Sequence, residues 1–336
     1  MSIQTLAFTA QGPEGDGFER YRQLYSIGAD VDRTEGPFHA RVRIRRFQRM
    51  ILYERDIGGL AHSRGARRVR HDGFDHFALH LLLSGDFTGG SPGTGHRLRP
   101  GEIMVVDTVR PHWTRAERAR ILTVQLAREV VEVAVGSLHT AHGAILPEAA
   151  GGLLADFVTS LVRRADGLPA AAMERAASTA AELLGIGLNV ALAAPMARLL
   201  SAEAALPLRR TRAEAYVDAH LCDRHLDAEA VAKGIGASRS SLYRAFADDG
   251  GLMRYIQRRR LEQLRAALRR VGEGRTVSDL AIACGFADER HCSQVFRDAF
   301  GAPPGRYRAS IRANRQDHTV EGSAEAVFAR WTSELY

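Results

Sequence analysis

Glu289, Arg290, Ser293 and Gln294 fall on one side of a single short stretch, and each is a residue type that can hydrogen-bond the edges of nucleic acid bases. Arginine and glutamine make paired hydrogen bonds to guanine and adenine, and glutamate accepts from the cytosine amino group. Earlier in the chain Arg239, Ser240, Tyr243 and Arg244 form a comparable set. Ser240 is too short to discriminate well, and Arg239 suits a phosphate oxygen, so this set supplies position more than sequence information. A second chemistry is offered by His71, His76, His80, Glu102 and His112, because imidazoles and a carboxylate are ligand types for zinc or iron. His76 and His80 are four apart on a strand-like segment, hence on one face. A His-x-His pair is missing, and no metal or other cofactor is expected. Arg70, His76, His80, Arg110 and Trp113 are instead candidates to line a pocket for a small-molecule effector.

The base-reading candidates need short helices to carry them, and the surrounding sequence has that grammar twice. From Leu226 to Phe246, an apolar helix face (Val231, Ala232, Ile235) is followed by a turn at Gly236 and by Ser238, placed to cap a second helix. From Thr276 to Phe300, Thr276 and Asp279 form a capping pattern and Leu280 and Ala281 face inward. Gly285 then makes the turn, Asp288 caps the second helix, and Cys292, Val295, Phe296 and Phe300 hold that helix down. Met253 to Val271 reads as one connecting helix with Arg258, Arg259 and Arg260 near its start. At about 1.5 Å per residue it would span roughly 28 Å. That approaches the roughly 34 Å between successive major-groove faces of a duplex.

Charge supports this reading. Between Pro207 and Arg312 there are 20 Lys and Arg against 13 Asp and Glu, which accounts for the entire net charge of +7 in the 336-residue chain. A local excess of this kind is what phosphate binding requires. The three cysteines, Cys222, Cys284 and Cys292, contain no CxxC pair and suit a reducing cytoplasm, and Cys284 and Cys292 lie among apolar helix positions that suit packing. The first residues lack a basic start followed by an apolar run, and the apolar stretch Ala180 to Ala197 is interrupted by Glu182, Asn189 and Pro195. No signal peptide or membrane contact is expected.

The first half reads differently. After a loosely packed start around Gly12 to Gly17 and a short helical period from Phe18 to Tyr25, alternation marks strands at Phe38 to Ile44, Phe74 to Gly85, Leu98 to Asp107 and Ile121 to Leu126, with a glycine-rich hairpin from Gly85 to Gly95. Beyond about Pro147 the period becomes helical, with one stripe at Leu153, Leu154, Phe157, Leu161 and Val162 and a longer one from Met173 to Leu192. These stripes serve either internal packing or a dimer contact. Leu206 to Arg212 looks like an interdomain linker, and Ser323 to Leu335 like a short amphipathic helix.

The last hundred residues resemble the DNA-binding domain of the AraC family of bacterial transcription regulators. The resemblance rests on Leu242 to Phe246, Arg260-Leu261 with Ala267-Leu268, Gly285-Phe286, Val295 to Arg297, Phe300-Gly301 and Pro304 with Tyr307-Arg308. The first half is similar to the cupin-like sensor domain of one branch of that family, through Pro37 to Ala40, Arg67 to Asp75, Leu83 to Gly85, Pro100 to Glu102 and Asp107 to Pro111. Cys292, where the family usually has phenylalanine, Gln294, where arginine is common, and Ala287, where serine often caps, depart from the pattern and put the operator sequence in doubt.

The resemblance implies a multidomain α+β chain. A cupin-like antiparallel β-barrel sensor would occupy 1–145, helices for dimerisation 146–205, a DNA-binding domain with two helix-turn-helix units 206–312, and a tail 313–336. It implies a cytoplasmic homodimer, not an enzyme, that binds double-stranded promoter DNA, responds to a small-molecule effector and activates transcription with RNA polymerase. It also implies base-facing positions at Ser240, Tyr243 and Arg244. Two other readings remain open on the sequence, a metal-dependent cupin enzyme with a DNA-binding tail and an architectural DNA binder without an effector.

Overall fold

In a computed structural model of the chain, the residues described are 4–11, 15–72, 74–135, 141–198, 205–270, 273–317, 324–333 and 335. They form two compact units, one of Met1–Ala193 with Arg315–Tyr336 and one of Ala194–Asn314.

The first unit is built on a nine-stranded antiparallel sheet in the order β1 (Gln4–Gln11), β3 (His39–Phe47), β4 (Met50–Arg64), β8 (His112–Ala127), β5 (His76–Gly90), β7 (Ile103–Asp107), β9 (Ile145–Leu146). Off this path, β2 (Asp30–Arg33) pairs with β4 and β6 (His96–Arg97) pairs with β5. Helix α1 (Gly15–Tyr25) follows β1, α2 (Ala66–His71) precedes β5, and α3 (Arg128–Val135) follows β8. Strand β3 shows why these sequences pair: Ala40, Val42 and Ile44 point into the core while Arg41 and Arg43 point out. Strand β4 is the longest element that alternation failed to mark. Its Gly58–Gly59 pair looks like a break, yet β4 pairs with β3 up to Gly58 and with β2 from Leu60 onward. Gly59, at φ +67°, sits where the partner changes, and a Cβ there would strike the carbonyl oxygens of Gly36 and Pro37. The expected loose start is only partly so, since Gln4–Gln11 pairs with β3 and Gly15–Tyr25 is helical; residues 12–14 lie outside the described residues.

Helices α4 (Glu148–Arg164) and α5 (Ala170–Arg198) pack on the sheet through Leu154, Val158, Leu161, Ala180, Leu184 and Leu188. The chain then leaves for the second unit and returns in α13 (Ala324–Ser333), close to the amphipathic stretch read in the sequence. Phe328, Trp331 and Leu335 are buried in the same core as the sheet. Phe328 stacks edgewise on Tyr25 and Tyr53, and the Arg46 guanidinium donates to the Trp331 carbonyl.

The second unit consists of α6 (Ala205–Ala219), α7 (Ala228–Ile235), α8 (Arg239–Ala245), α9 (Leu252–Arg269), α10 (Val277–Ala283), α11 (Glu289–Phe300) and α12 (Pro304–Asp317). It has two cores, both seated on α9. Leu252, Tyr255 and Ile256 join α6, α7 and α8, whereas Leu261, Leu264, Ala267 and Leu268 join α10, α11 and α12. The supposed linker at 206–212 is a correction, because it is the start of α6, whose Ala213 and Val217 are fully buried in the first core. Pro207 misled the reading: a proline in a helix's first turn lacks only an N–H that would have had no partner there.

Candidate DNA-reading surface and ligand cavity

Both helix pairs have the turn and capping chemistry that their sequences imply. Asp227 accepts from the backbone N–H of Glu229 and Ala230 to start α7, Gly236 ends it at φ +65°, and Ser238 accepts from the Ser241 N–H to start α8. In the second pair, Thr276 and Asp279 form a reciprocal capping box on α10, Gly285 turns at φ +83°, and Asp288 accepts from the His291 N–H at 2.7 Å to start α11. Such caps each contribute about 1 kcal/mol and fix where a helix begins. That start sets the rotation of every later side chain.

The rotation leaves Arg239, Ser240, Tyr243 and Arg244 exposed on α8, and Glu289, Arg290 and Gln294 exposed on α11 with Ser293 half-buried. Leu242 and Phe246 on α8, and Cys292 and Phe296 on α11, are buried beneath them. Burial pushes the Cys292 and Cys284 thiols up to about 12, so both act as neutral packing groups. Among the described residues Arg239, Arg244 and Arg290 make no ion pair or side-chain hydrogen bond. Gln294 is different: its amide nitrogen donates to Asp298 at 3.1 Å and its oxygen accepts from Arg297 at 2.6 Å. A base must therefore compete with these neighbours. His291 and Arg297, also exposed on α11, were not singled out by residue type alone.

The arginine run on α9 has a different task. Arg258 pairs with Asp249 at 2.6 Å, Arg259 pairs with Asp218 at 2.9 Å and Glu262 at 3.1 Å, and Arg260 donates to the carbonyls of Leu221 and Asp223. Three of the positive charges in this region therefore brace the helices rather than extend into solvent. Helix α9 runs from Leu252 to Arg269, 18 residues and about 27 Å long.

The first unit holds a cavity of about 90 Å³, several times the roughly 10–15 Å³ that one water needs. Its wall follows the period of two along the strands: Tyr53 and Arg55, then His62 and Arg64, on β4; His76, Ala78 and His80 on β5; His112 with Thr114, and Thr123 with Gln125, on β8. Phe328 and Thr332 of α13 complete it. His76, His80 and His112 thus come together in one wall. Arg70 is exposed on α2 and lies outside it, and Arg110 does not line it. Trp113 is turned away, because its chain neighbours His112 and Thr114 take the inward positions on β8. The Trp113 indole instead donates to the Ser91 carbonyl at 3.2 Å. Glu102 also lies outside, 3.2 Å from His96, and the His71 side chain lies outside the described residues. Among the described residues no three His, Cys, Asp or Glu side chains group to hold a metal.

Sequence reasoning missed Arg55, Tyr53, His62, Thr123 and Gln125. The usable signal was a pair of polar residues at successive inward positions of strands that are otherwise buried, Tyr53 and Arg55 on β4 and Thr123 and Gln125 on β8. Tyr53 donates to Gln125 at 2.6 Å, the Tyr21 hydroxyl meets His62 Nε2 at 3.0 Å, and Thr123 lies 3.0 Å from His80 Nδ1. Desolvation, aided by the charge of Arg55, lowers His62 to about 3 and holds His80 well below the ordinary imidazole value. His112 is lowered to about 3, mainly by desolvation. These three cavity histidines are therefore neutral hydrogen-bonding groups at pH 7.

Comparison with known proteins bears on both regions. Residues 22–188 match the AraC-binding-like domain family, and residues 231–310 match the helix-turn-helix domain family. The chain is 25% identical over 271 residues to the transcriptional activator NphR of Rhodococcus sp, covering 76% of this chain and 77% of NphR. It is 37% identical over 90 residues to the HTH-type transcriptional activator RhaS of Escherichia fergusonii, a match that spans 26% of this chain and 32% of RhaS. The crystal structure of the AraC-like transcriptional activator CuxR superimposes with a TM-score of 0.52 and 20% identity, over 83% of this chain and all of CuxR. That likeness is one of fold.

Proposed function

The chain belongs to the AraC family of transcription regulators, and from that premise we propose that it is a homodimeric activator that reads promoter DNA with α8 and α11 and answers to a small molecule held in the sheet cavity. The observation that carries the DNA-reading part is the pair of capped helices presenting arginines with no protein partner among the described residues, while Arg258, Arg259 and Arg260 of α9 are engaged with protein groups. Arg290 and Gln294 would contact base edges with Glu289 and Ser293 beside them, Ser240, Tyr243 and Arg244 would meet the preceding groove face, and Arg239 would hold phosphate. The length of α9 suits two major-groove faces about one turn apart.

Support for a dimer comes from exposed apolar residues where α4 and α5 meet. The helices approach closely at Ala150 and Gly187. Leu153 on α4 and Ile186 and Val190 on α5 are exposed beside that contact, at 64, 50 and 47%. A second copy would cover them. NphR, the relative that aligns along both regions, is described as an activator. Transcription in vitro with purified RNA polymerase on a template carrying the bound site tests the activator reading. Output that rises with added protein supports it, and output that stays flat or falls contradicts it. Leu153→Glu should shift the protein to a monomer in sedimentation, and an unchanged mass would remove this face as the interface.

A further inference from the structure

Among the described residues four arginines are buried or nearly so in the first unit, and three have their charge balanced by carboxylates. Arg45 lies 3.5 Å from both Glu54 and Asp166, Arg64 grips Asp72 with two hydrogen bonds of 2.7 and 3.1 Å, and Arg128 pairs with Asp75 and Asp107. Arg55 is the exception. It is only 6% exposed and lines the cavity, and among the described residues no Asp or Glu pairs with it. Its Nη2 donates to the Thr123 hydroxyl and lies 3.2 Å from His80 Nδ1, while among the described residues its Nε–H has no acceptor. A guanidinium cannot lose its proton at ordinary pH, so a buried one without a counter-charge is costly to keep.

We propose that the cavity takes a small organic monocarboxylate whose carboxylate group balances Arg55. The proposal rests on the cavity being the effector site and adds the chemical class of the effector. Charge accounting favours a monoanion. Among the described lining residues Arg64 is neutralised by Asp72, and His62, His80 and His112 are uncharged, which leaves the Arg55 guanidinium as the lining arginine to match. A dianion such as phosphate would bury a negative charge in excess. A carboxylate presents two coplanar oxygens to a planar fork of N–H donors, the geometry that guanidinium groups bind best. Ile27, Phe74, Ala78 and Phe328 give the wall an apolar part, which suits a short aliphatic or aromatic body, and the volume of about 90 Å³ keeps that body small.

Thermal unfolding of the full-length protein tests this with sodium propionate, hexanoate and benzoate against the matched amides, at equal ionic strength. At least one acid should raise Tm by several degrees, with its amide about tenfold weaker or worse. Arg55→Gln should abolish the acid's effect while leaving the unliganded Tm unchanged or higher, because the variant removes an unbalanced buried charge. A fall in unliganded Tm comparable with that of Arg64→Gln would instead make Arg55 a structural residue and overturn the proposal. So would acids that act equally on Arg55→Gln, amides that match the acids, or no effect from any of the three acids. A neutral compound that binds the wild type and Arg55→Gln alike and alters DNA affinity would overturn the carboxylate class while keeping the cavity as effector site. An acid that binds through Arg55 without changing DNA affinity would keep the class and overturn the effector reading.

Discussion

The two units use the same residue type in opposite ways. In the sheet unit four arginines are turned inward: Arg45, Arg64 and Arg128 are locked to carboxylates and Arg55 lies beside a cavity. In the helical unit the arginines proposed to contact DNA, Arg239, Arg244 and Arg290, are turned outward with no partner among the described residues. Inside, a charge must be balanced because water cannot screen it; outside, an unpaired arginine costs little and keeps its donors available for a phosphate or base. An arginine count therefore says little about function, whereas the environment of each one says a good deal.

The largest expected effect sharpens the inward half of this contrast. Arg64→Gln leaves the nearly buried Asp72 without its partner and should cost about 3–5 kcal/mol in chemical denaturation. A cost below about 1 kcal/mol, the range of exposed pairs, would show that this ion pair is effectively at the surface. The outward half is tested by a pair of substitutions. Arg290→Ala should weaken binding by about 1–3 kcal/mol and relax preference at one base position, whereas Arg239→Ala should weaken all sequences alike and reduce the salt slope by about one. Equal losses on specific and random duplexes for Arg290→Ala would remove its reading role.

Acid should separate the units as well. His62 and His112 have folded pKa values near 3, below the ordinary unfolded value of about 6.5, so the unfolded chain binds the extra protons. Their contribution is fully present above about pH 6.5 and falls as pH drops toward 3, by about 1.4 kcal/mol per pH unit for each group. Unfolding of the sheet unit should therefore move to lower denaturant between pH 7 and 5, and His62→Asn should flatten the slope. A slope unaltered by that substitution would contradict the neutral imidazole. The smallest effect is local: Asp288→Ala should cost about 1 kcal/mol through loss of the α11 cap, read from amide exchange in that helix.

The helical unit was the more legible in sequence because its function lies in local grammar. Caps at Ser238, Thr276 and Asp288 and turns at Gly236 and Gly285 are each fixed by a few neighbouring residues, so both helix pairs could be placed without knowing the tertiary structure. The sheet unit is non-local. Tyr53 meets Gln125, Arg55 meets Thr123, and Phe328 reaches Tyr25 from the far end of the chain. His76 and His80 could be assigned to one face from strand period alone, but Trp113 fell outside the cavity because the phase of β8 depends on its pairing with β4 and β5, and Arg110 because it lies in the turn that precedes β8. Strand β4 itself was hidden by Gly58 and Gly59, which the fold needs at the point where β4 changes partner.

Selection of duplexes from a random library by the full-length protein at physiological salt, followed by sequencing, tests the central claim most directly. Two preferred elements about one helical turn apart, with the preference at one position lost in Arg290→Ala, are the predicted result. Recovery of no preferred sequence, with binding that weakens uniformly as salt rises, would leave only phosphate attraction and contradict the account.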